Sequence, residues 1–254
     1  MKTYDIVIAG AGSIGVPLAW QLGEKGFKVA VIDQEASWGR GQNRAAIGGL
    51  RATHSDAAKI KICLESIEIV STLKERYGID NEWYQGGYLY VAYTEEQRNA
   101  FLSLLKLQKE AGLDIDWIEP DAVEKLSPGI RREGLLGGTF SPRDGFASPL
   151  MTNTGFHKLA MDAGVDFFFN TRIDGVAMDG DKVASISAGG ETWRAPLFVN
   201  AAGAEAADLA SMAGVDLPIH PDCHEAGVTE PVERFMEPML VDTRPDAESG
   251  NYYF

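Results

Sequence analysis

Cysteine is nearly absent from this chain: Cys63 and Cys223 stand alone and far apart, which rules out a disulfide framework and leaves reduced thiols as the expectation. Cys63 falls in an apolar helical setting and is expected to be buried, with Cys223 more exposed. Histidine is also scarce. His157, His220 and His224 show no metal-ligand spacing, so no metal site is expected. Long apolar runs are missing as well. Residues 6–22 come nearest, but three glycines and Pro17 interrupt them and no basic segment precedes an unbroken apolar core. They read as neither a signal peptide nor a membrane span, and a cytoplasmic location without a transmembrane segment is the expectation. Basic residues are few, 23 Lys and Arg against 37 Asp and Glu, for a net charge of −14. That balance argues against binding nucleic acid through its phosphates, although an arginine cluster in a cleft can still reverse the field locally. What remains is an ordinary globular composition, 45% hydrophobic and 24% charged, with enough length for one large domain or two intertwined lobes.

The most informative stretch is Gly10-Ala11-Gly12-Ser13-Ile14-Gly15, because of its flanks. Residues 4–9 read as a buried parallel strand, 16–25 as a helix, and 27–32 as a second strand closed by Asp33. A G-x-G-x-x-G in a βαβ unit with an acid about 20 positions on is the setting of a dinucleotide site. Gly10 permits the tight turn, Gly12 lets a pyrophosphate approach the backbone, and Gly15 lets helix and strand pack closely. The N–H groups of Ser13, Ile14 and the helix start face phosphate oxygens, and Asp33, followed by Gln34, accepts from ribose hydroxyls. A glycine-rich turn that merely packs a helix is the competing reading. The motif does not by itself separate FAD from NAD.

Residues 37–50 lengthen the connection after the second strand with Gly39, Gly41, Gly48 and Gly49 among Arg40, Gln42, Asn43 and Arg44, ending at Leu50. Backbone donors and amides of that kind suit a second section of an extended cofactor; a flexible surface loop has the same composition. An amphipathic helix over 56–77 follows. Strands within 83–93, a helix over 95–111, a short strand at 115–118 and a helix over 120–126 stopped by Ser127-Pro128 then break the βαβ rhythm. Past a strand and loop over 131–140, a helix over 148–163 leads to a buried strand at 166–170 and a meander over 172–178, 182–188 and 192–193. Residues 197–203 read as a buried strand ending in the small residues Ala201, Ala202 and Gly203 before a helix over 205–212; such residues let a cofactor phosphate or ribose approach the strand end, with plain strand–helix packing as the competing reading. A strand over 220–230, stopped by Pro231, is the last expected element before an end, Asn251-Tyr252-Tyr253-Phe254, that reads as the middle of a strand.

Taken in order, YDIVIAGAGSIG with Asp33, GRGQNRAAIGGLR, Ser141-Pro142-Arg143-Asp144-Gly145-Phe146-Ala147-Ser148-Pro149, Phe198-Val199-Asn200-Ala201-Ala202-Gly203 and Thr229-Glu230-Pro231-Val232 resemble the FAD-dependent amine and amino-acid oxidoreductases, along the whole chain. That group contains D-amino-acid oxidases, glycine and sarcosine oxidases, and the β-subunits of heteromeric sarcosine oxidase and proline dehydrogenase. The resemblance implies an α/β fold: a Rossmann-type FAD-binding domain interleaved with an α+β substrate domain, as in the glutathione-reductase-like FAD fold, here truncated. It assigns residues 1–80 and 146–215 to the FAD-binding domain, and 81–145 and 216–254 to an incomplete substrate domain. It implies FAD as cofactor, Ile173 against adenine, and residues 201–203 as a second cofactor segment. The implied chemistry is oxidation of a C–N bond in an amino acid or N-alkyl amino acid, by hydride transfer to flavin N5. The protein's part is to hold the amine and the carboxylate.

Arg51 aligns with a position beside the flavin and is the expected electrostatic group, with a structural ion pair as the alternative. His54 reads as a hydrogen-bonded neighbour of a helix cap rather than a base. Gly48 stands where sarcosine-oxidase-like proteins often carry an arginine, so their arrangement does not transfer. Tyr252 falls in a strand that lines the substrate cavity in the family, where core packing explains it equally well. Two rival functions stay open: a hydroxy-acid or glycerol-phosphate-type flavin dehydrogenase, and a non-catalytic dinucleotide-binding subunit of a heteromer. Family members continue further, so a missing C-terminal part or a second chain is expected to complete the site.

Overall fold

The computed structural model describes residues 1–223, 226–244 and 252–253, and its contacts divide the chain into two units, Met1–Ile47 with Pro149–Ala226 and Gly48–Ser148 with Gly227–Phe254. His224, Asn251 and Phe254, singled out above, lie outside the described residues.

In the first unit, four strands form a parallel sheet in the order Leu197–Asn200, Ile6–Ala9, Val29–Ile32, Asp166–Phe168. The two central strands, IVIA and VAVI, are buried along their whole length, as a sheet covered on both faces requires. One cover is a helix pair, Gly15–Glu24 against Pro149–Asp162, where the rings of Trp20 and Phe156 stack at 5.6 Å. A side chain at Gly23 would press on Ala163 and Val165 at 3.0 Å. The other cover is the meander Ile173–Asp179, Lys182–Ala188, Glu191–Arg194, which Lys2–Thr3 extends as a fourth strand. Its Ile186, Ala188 and Trp193 close over Tyr4, Val7, Ala30 and Ile32. The strand expected to be buried at 197–200 is the sheet edge instead, with Leu197 51% exposed. Asp166–Phe168, at the other edge, is likewise only partly covered.

In the second unit, five strands run in the order Tyr252–Tyr253, Met239–Asp242, Tyr88–Ala92, Gly137–Ser141, Asp116–Ile118. Leu89, Val91 and Leu240 pack with Val123 of the helix Pro120–Leu126. A separate cluster joins Ala52, Ile60 and Ile67 to Leu113 and Ile115. The helix Glu95–Glu110 begins with a capping box, Thr94 and Gln97 satisfying each other's backbone N–H groups. The expected 56–77 helix divides into Ala57–Ser71 and Leu73–Tyr77, because Thr72 turns its hydroxyl back onto the Glu68 carbonyl at 2.6 Å.

Residues 48–80, expected with the first unit, belong by contact to the second: Gly49–Leu50 pairs with Gly145–Phe146, and Ile60 and Ile67 bury against Leu113 and Ile115. No strand forms among the described residues of 220–230. Pro221 has no N–H to give a ladder, and Met239–Asp242 takes the place in the sheet. Cys63 is half-buried rather than buried, and Cys223 is exposed.

Candidate functional site

The carboxyl ends of the parallel strands in the first unit open into a cleft of about 430 Å³. Its floor is the glycine turn. Gly10 sits at φ +106°, and a Cβ there would lie 2.3 Å from the Ala201 carbonyl oxygen; one on Gly15 would lie 1.9 Å from that of Gly10. Both glycines are therefore required by backbone packing. Gly12 differs: nothing lies within 4 Å of its missing Cβ, and it lines the cleft. The helix that follows has no side-chain cap and no acid in its first turn, leaving its N-terminal donors to a ligand anion. Asp33 braces the turn, one carboxylate oxygen accepting from Ala11 N at 2.6 Å and the other from Glu35 N at 2.8 Å. Ala11 in turn accepts at its carbonyl from Gly39 N at 2.9 Å and from buried Asn153 Nδ2 at 3.4 Å. The loop after the second strand is thus tied to the first turn, and Gln42 reaches Gly203, where a Cβ would meet its Oε1 at 2.7 Å.

Gly10, Gly12, Ser13, Ile14, Asp33, Gln34, Gly41, Gln42, Asn43, Ile173, Ala201, Ala202 and Gly203 all line this cleft. Gly15 lies behind it as a packing residue, and Arg44 is exposed in the short 3-10 turn Gln42–Ala45 without lining it. Gly48, Gly49 and Leu50 belong to the second unit. Glu35, Thr171, Arg172 and Asn200 also line it, beyond the residues expected from the sequence. Thr171 and Arg172 adjoin Ile173, and Asn200 precedes Ala201, so adjacency was the available signal. Arg40 and Arg172 are the cations of a lining that also holds Asp33, Glu35, Glu205 and Asp208.

The second unit carries a smaller cavity of about 230 Å³ around Arg51, lined also by Thr53, His54, Tyr90, Phe101, Gln108 and Thr139. The guanidinium donates to the Thr53 carbonyl, lies 3.2 Å from His54 Nδ1 and stands 5.7 Å over the Tyr90 ring. Burial, followed by the charges of Arg51 and Lys59, pushes the His54 imidazole down to about 4, so it is neutral at pH 7. Burial pushes the Tyr90 phenol up to about 12. Gln108 donates to the His54 carbonyl at 3.1 Å. No carboxylate lies within ion-pair distance of Arg51 among the described residues, so the expected alternative of a structural ion pair is not what forms. Tyr252 sits on the outer strand, 39% exposed, and does not line this cavity. No group of three potential metal ligands occurs among the described residues, and none of their helices is long and apolar enough to cross a membrane.

The fold and the cleft define a dinucleotide-binding α/β class. The chain belongs to the FAD dependent oxidoreductase (DAO) family, whose model matches residues 5–254. It is similar to mitochondrial sarcosine dehydrogenase of Mus musculus, 26% identical over 91% of this chain and 26% of that protein. Sarcosine oxidase subunit beta of an Arthrobacter species is 28% identical over 90% of this chain and 58% of that one. Among solved structures, L-proline dehydrogenase from P. horikoshii superposes with a TM-score of 0.85 at 23% identity, covering 95% of this chain and 64% of that one, a likeness of fold. The chain therefore spans between about a quarter and three fifths of these curated relatives. The uncapped helix start, the open side of Gly12 and the small residues 201–203 fit the dinucleotide part of FAD.

Proposed function

We propose that this chain supplies the FAD-binding part and a portion of the substrate-binding part of an oxidoreductase acting on the C–N bond of an amino acid or N-alkyl amino acid, of sarcosine, glycine, proline or D-amino-acid type. The observation that carries the reading is the first-unit cleft, whose floor is open main chain at Gly12 beside an uncapped helix start. The names of the sarcosine-oxidising relatives support the substrate class.

In this reading Gly12, Ser13 and Ile14 hold the pyrophosphate, Asp33 and Gln34 the ribose, Ile173 the adenine, and Gln42, Asn43 and residues 201–203 the opposite wall. When bound, FAD supplies the hydride acceptor for the carbon beside the substrate's amine. The chain's own contribution is binding and orientation. Arg51 presents a positive charge that neutral His54 leaves unshared and that draws an anionic group into the cavity. Tyr90, held neutral, offers a hydroxyl there. The designation subunit beta in one relative supports a second chain completing the protein.

The test is an absorbance spectrum of the purified protein after loading with FAD and removal of the unbound fraction, followed by anaerobic additions of sarcosine, proline, glycine, D-amino acids and a hydroxy acid. A retained flavin band bleached by one of these amines is the expected result. A folded protein that keeps no flavin overturns the reading that this chain holds the cofactor by itself. A retained flavin that only a hydroxy acid bleaches overturns the substrate class.

A further inference from the structure

The run Ser141-Pro142-Arg143-Asp144-Gly145-Phe146 has no part in the chemistry above, yet it contains one of the most completely buried charged groups of the second unit. Asp144 is 0% exposed. Its two carboxylate oxygens each take one donor from consecutive residues: Oδ1 from Ala52 N at 3.0 Å and Oδ2 from Thr53 Oγ1 at 3.0 Å. These bonds continue a short antiparallel ladder in which Gly49 faces Phe146 and Leu50 faces Gly145, with Ala147 N donating to the Gly48 carbonyl at 3.0 Å. Where the backbone pairing ends, the Asp144 side chain carries it on by two residues. The run is held from its other side too, by Gly87 N on the Asp144 carbonyl at 2.9 Å and by reciprocal bonds between Tyr84 and Phe146. Arg51 lies between the last ladder residue and the two donors.

We infer that Asp144 is a positioning residue: its carboxylate fixes the segment 50–53 so that the Arg51 guanidinium stays packed against His54 and Tyr90. The inference rests on Arg51 being the charge-bearing group of the proposed function. Ala52 is itself fully buried, so no solvent replaces a lost acceptor, and freeing both donors lets the segment move toward water. Asparagine can keep both bonds, because its carbonyl accepts from Ala52 N and the Thr53 hydroxyl can reverse and accept from its amide. Alanine can keep neither.

The readout is the titration of His54 by NMR in the full chain, assigned with His54→Gln. Removing a negative charge near a histidine lowers its pKa; moving Arg51 away and admitting water raises it, so the sign separates the two causes. In Asp144→Ala, His54 is expected to rise from about 4 by on the order of one pH unit or more. In Asp144→Asn it stays within about half a unit of the unaltered protein. A folded Asp144→Ala in which His54 is unmoved or falls overturns the proposal, and so does an asparagine variant that shifts as far as alanine. Should Asp144→Ala fail to fold, the Ala52 amide decides in the unaltered protein and in Asp144→Asn. Strong protection from hydrogen exchange in both supports the clamp, and rapid exchange in either overturns it. None of these readouts needs flavin or turnover. Failure of the amine-oxidation reading leaves them standing, and an amine-bleached flavin with an unmoved His54 removes only this inference.

Discussion

The floor of the first unit's cleft is main chain, whereas the cavity of the second is walled by side chains. Around the glycine turn, the decisive groups are the Ala201 and Gly10 carbonyls, the Ala11 and Gly39 amides and the helix start. Around Arg51 they are the His54 ring, the Tyr90 phenol, the Gln108 amide and the buried Asp144 carboxylate, gathered from four separate stretches. A main-chain site is sensitive to any added atom and indifferent to most side-chain chemistry. A side-chain site has the opposite vulnerabilities, to charge, to pH and to the loss of a distant partner.

The sharpest way to break that comparison is a methyl group in each kind of glycine position. Gly15→Ala places a Cβ 1.9 Å from the Gly10 carbonyl oxygen and is expected to cost about 3 kcal/mol or more of stability and to abolish flavin retention, read by denaturant unfolding and absorbance. Gly12→Ala meets nothing within 4 Å, so the fold is expected to survive while FAD affinity falls by roughly tenfold or more, read by flavin fluorescence titration. Equal destabilisation by the two would mean that the floor of the cleft is not open main chain.

Next in size, Asp33→Ala leaves the Ala11 N–H without its carboxylate and is expected to cost about 1–3 kcal/mol, together with weaker FAD binding. Asp33→Asn, which retains an acceptor for Ala11, is expected to recover most of the stability; if it does not, the brace is electrostatic.

The second unit is sharpened by pH. The His54 pKa falls from 6.5 in the unfolded chain to about 4 in the folded one, so the unfolded state binds a proton first as pH drops. The contribution of this group is complete above about 6.5 and is lost as pH falls through about 4. The denaturant midpoint is therefore expected to decline across that window, and His54→Gln to flatten part of the decline. An unchanged slope would show that burial and the Arg51 charge do not hold the imidazole neutral. The smallest effect is expected at Thr94→Ala, which removes the cap of the helix Glu95–Glu110 and lowers stability by about 1 kcal/mol with no change in FAD binding.

Much of this architecture was legible because its causes are local. Helix 95–110 announces itself by Thr94 and Gln97, helix 120–126 by Pro120 and its Ser127-Pro128 stop, and the meander by Asp179-Gly180-Asp181 and Gly189-Gly190. Part of the cleft lining follows from the same short-range logic, since Thr171, Arg172 and Asn200 sit beside Ile173 and Ala201. The apolar run 197–200 reads as a buried strand yet forms a sheet edge, because such a run does not say whether a neighbour lies on both sides. Residues 48–80 group by contact with the second unit, and two residues of pairing, Gly49–Leu50 with Gly145–Phe146, carry no sequence pattern at that separation.

The dinucleotide turn was readable in the chain alone, because its glycines, its acid and its helix lie within 25 residues. Tertiary structure alone decided what surrounds Arg51. Asp144 lies 92 positions from the amide it accepts, and only the folded sheet brings a buried carboxylate to that donor while excluding the water that would otherwise compete.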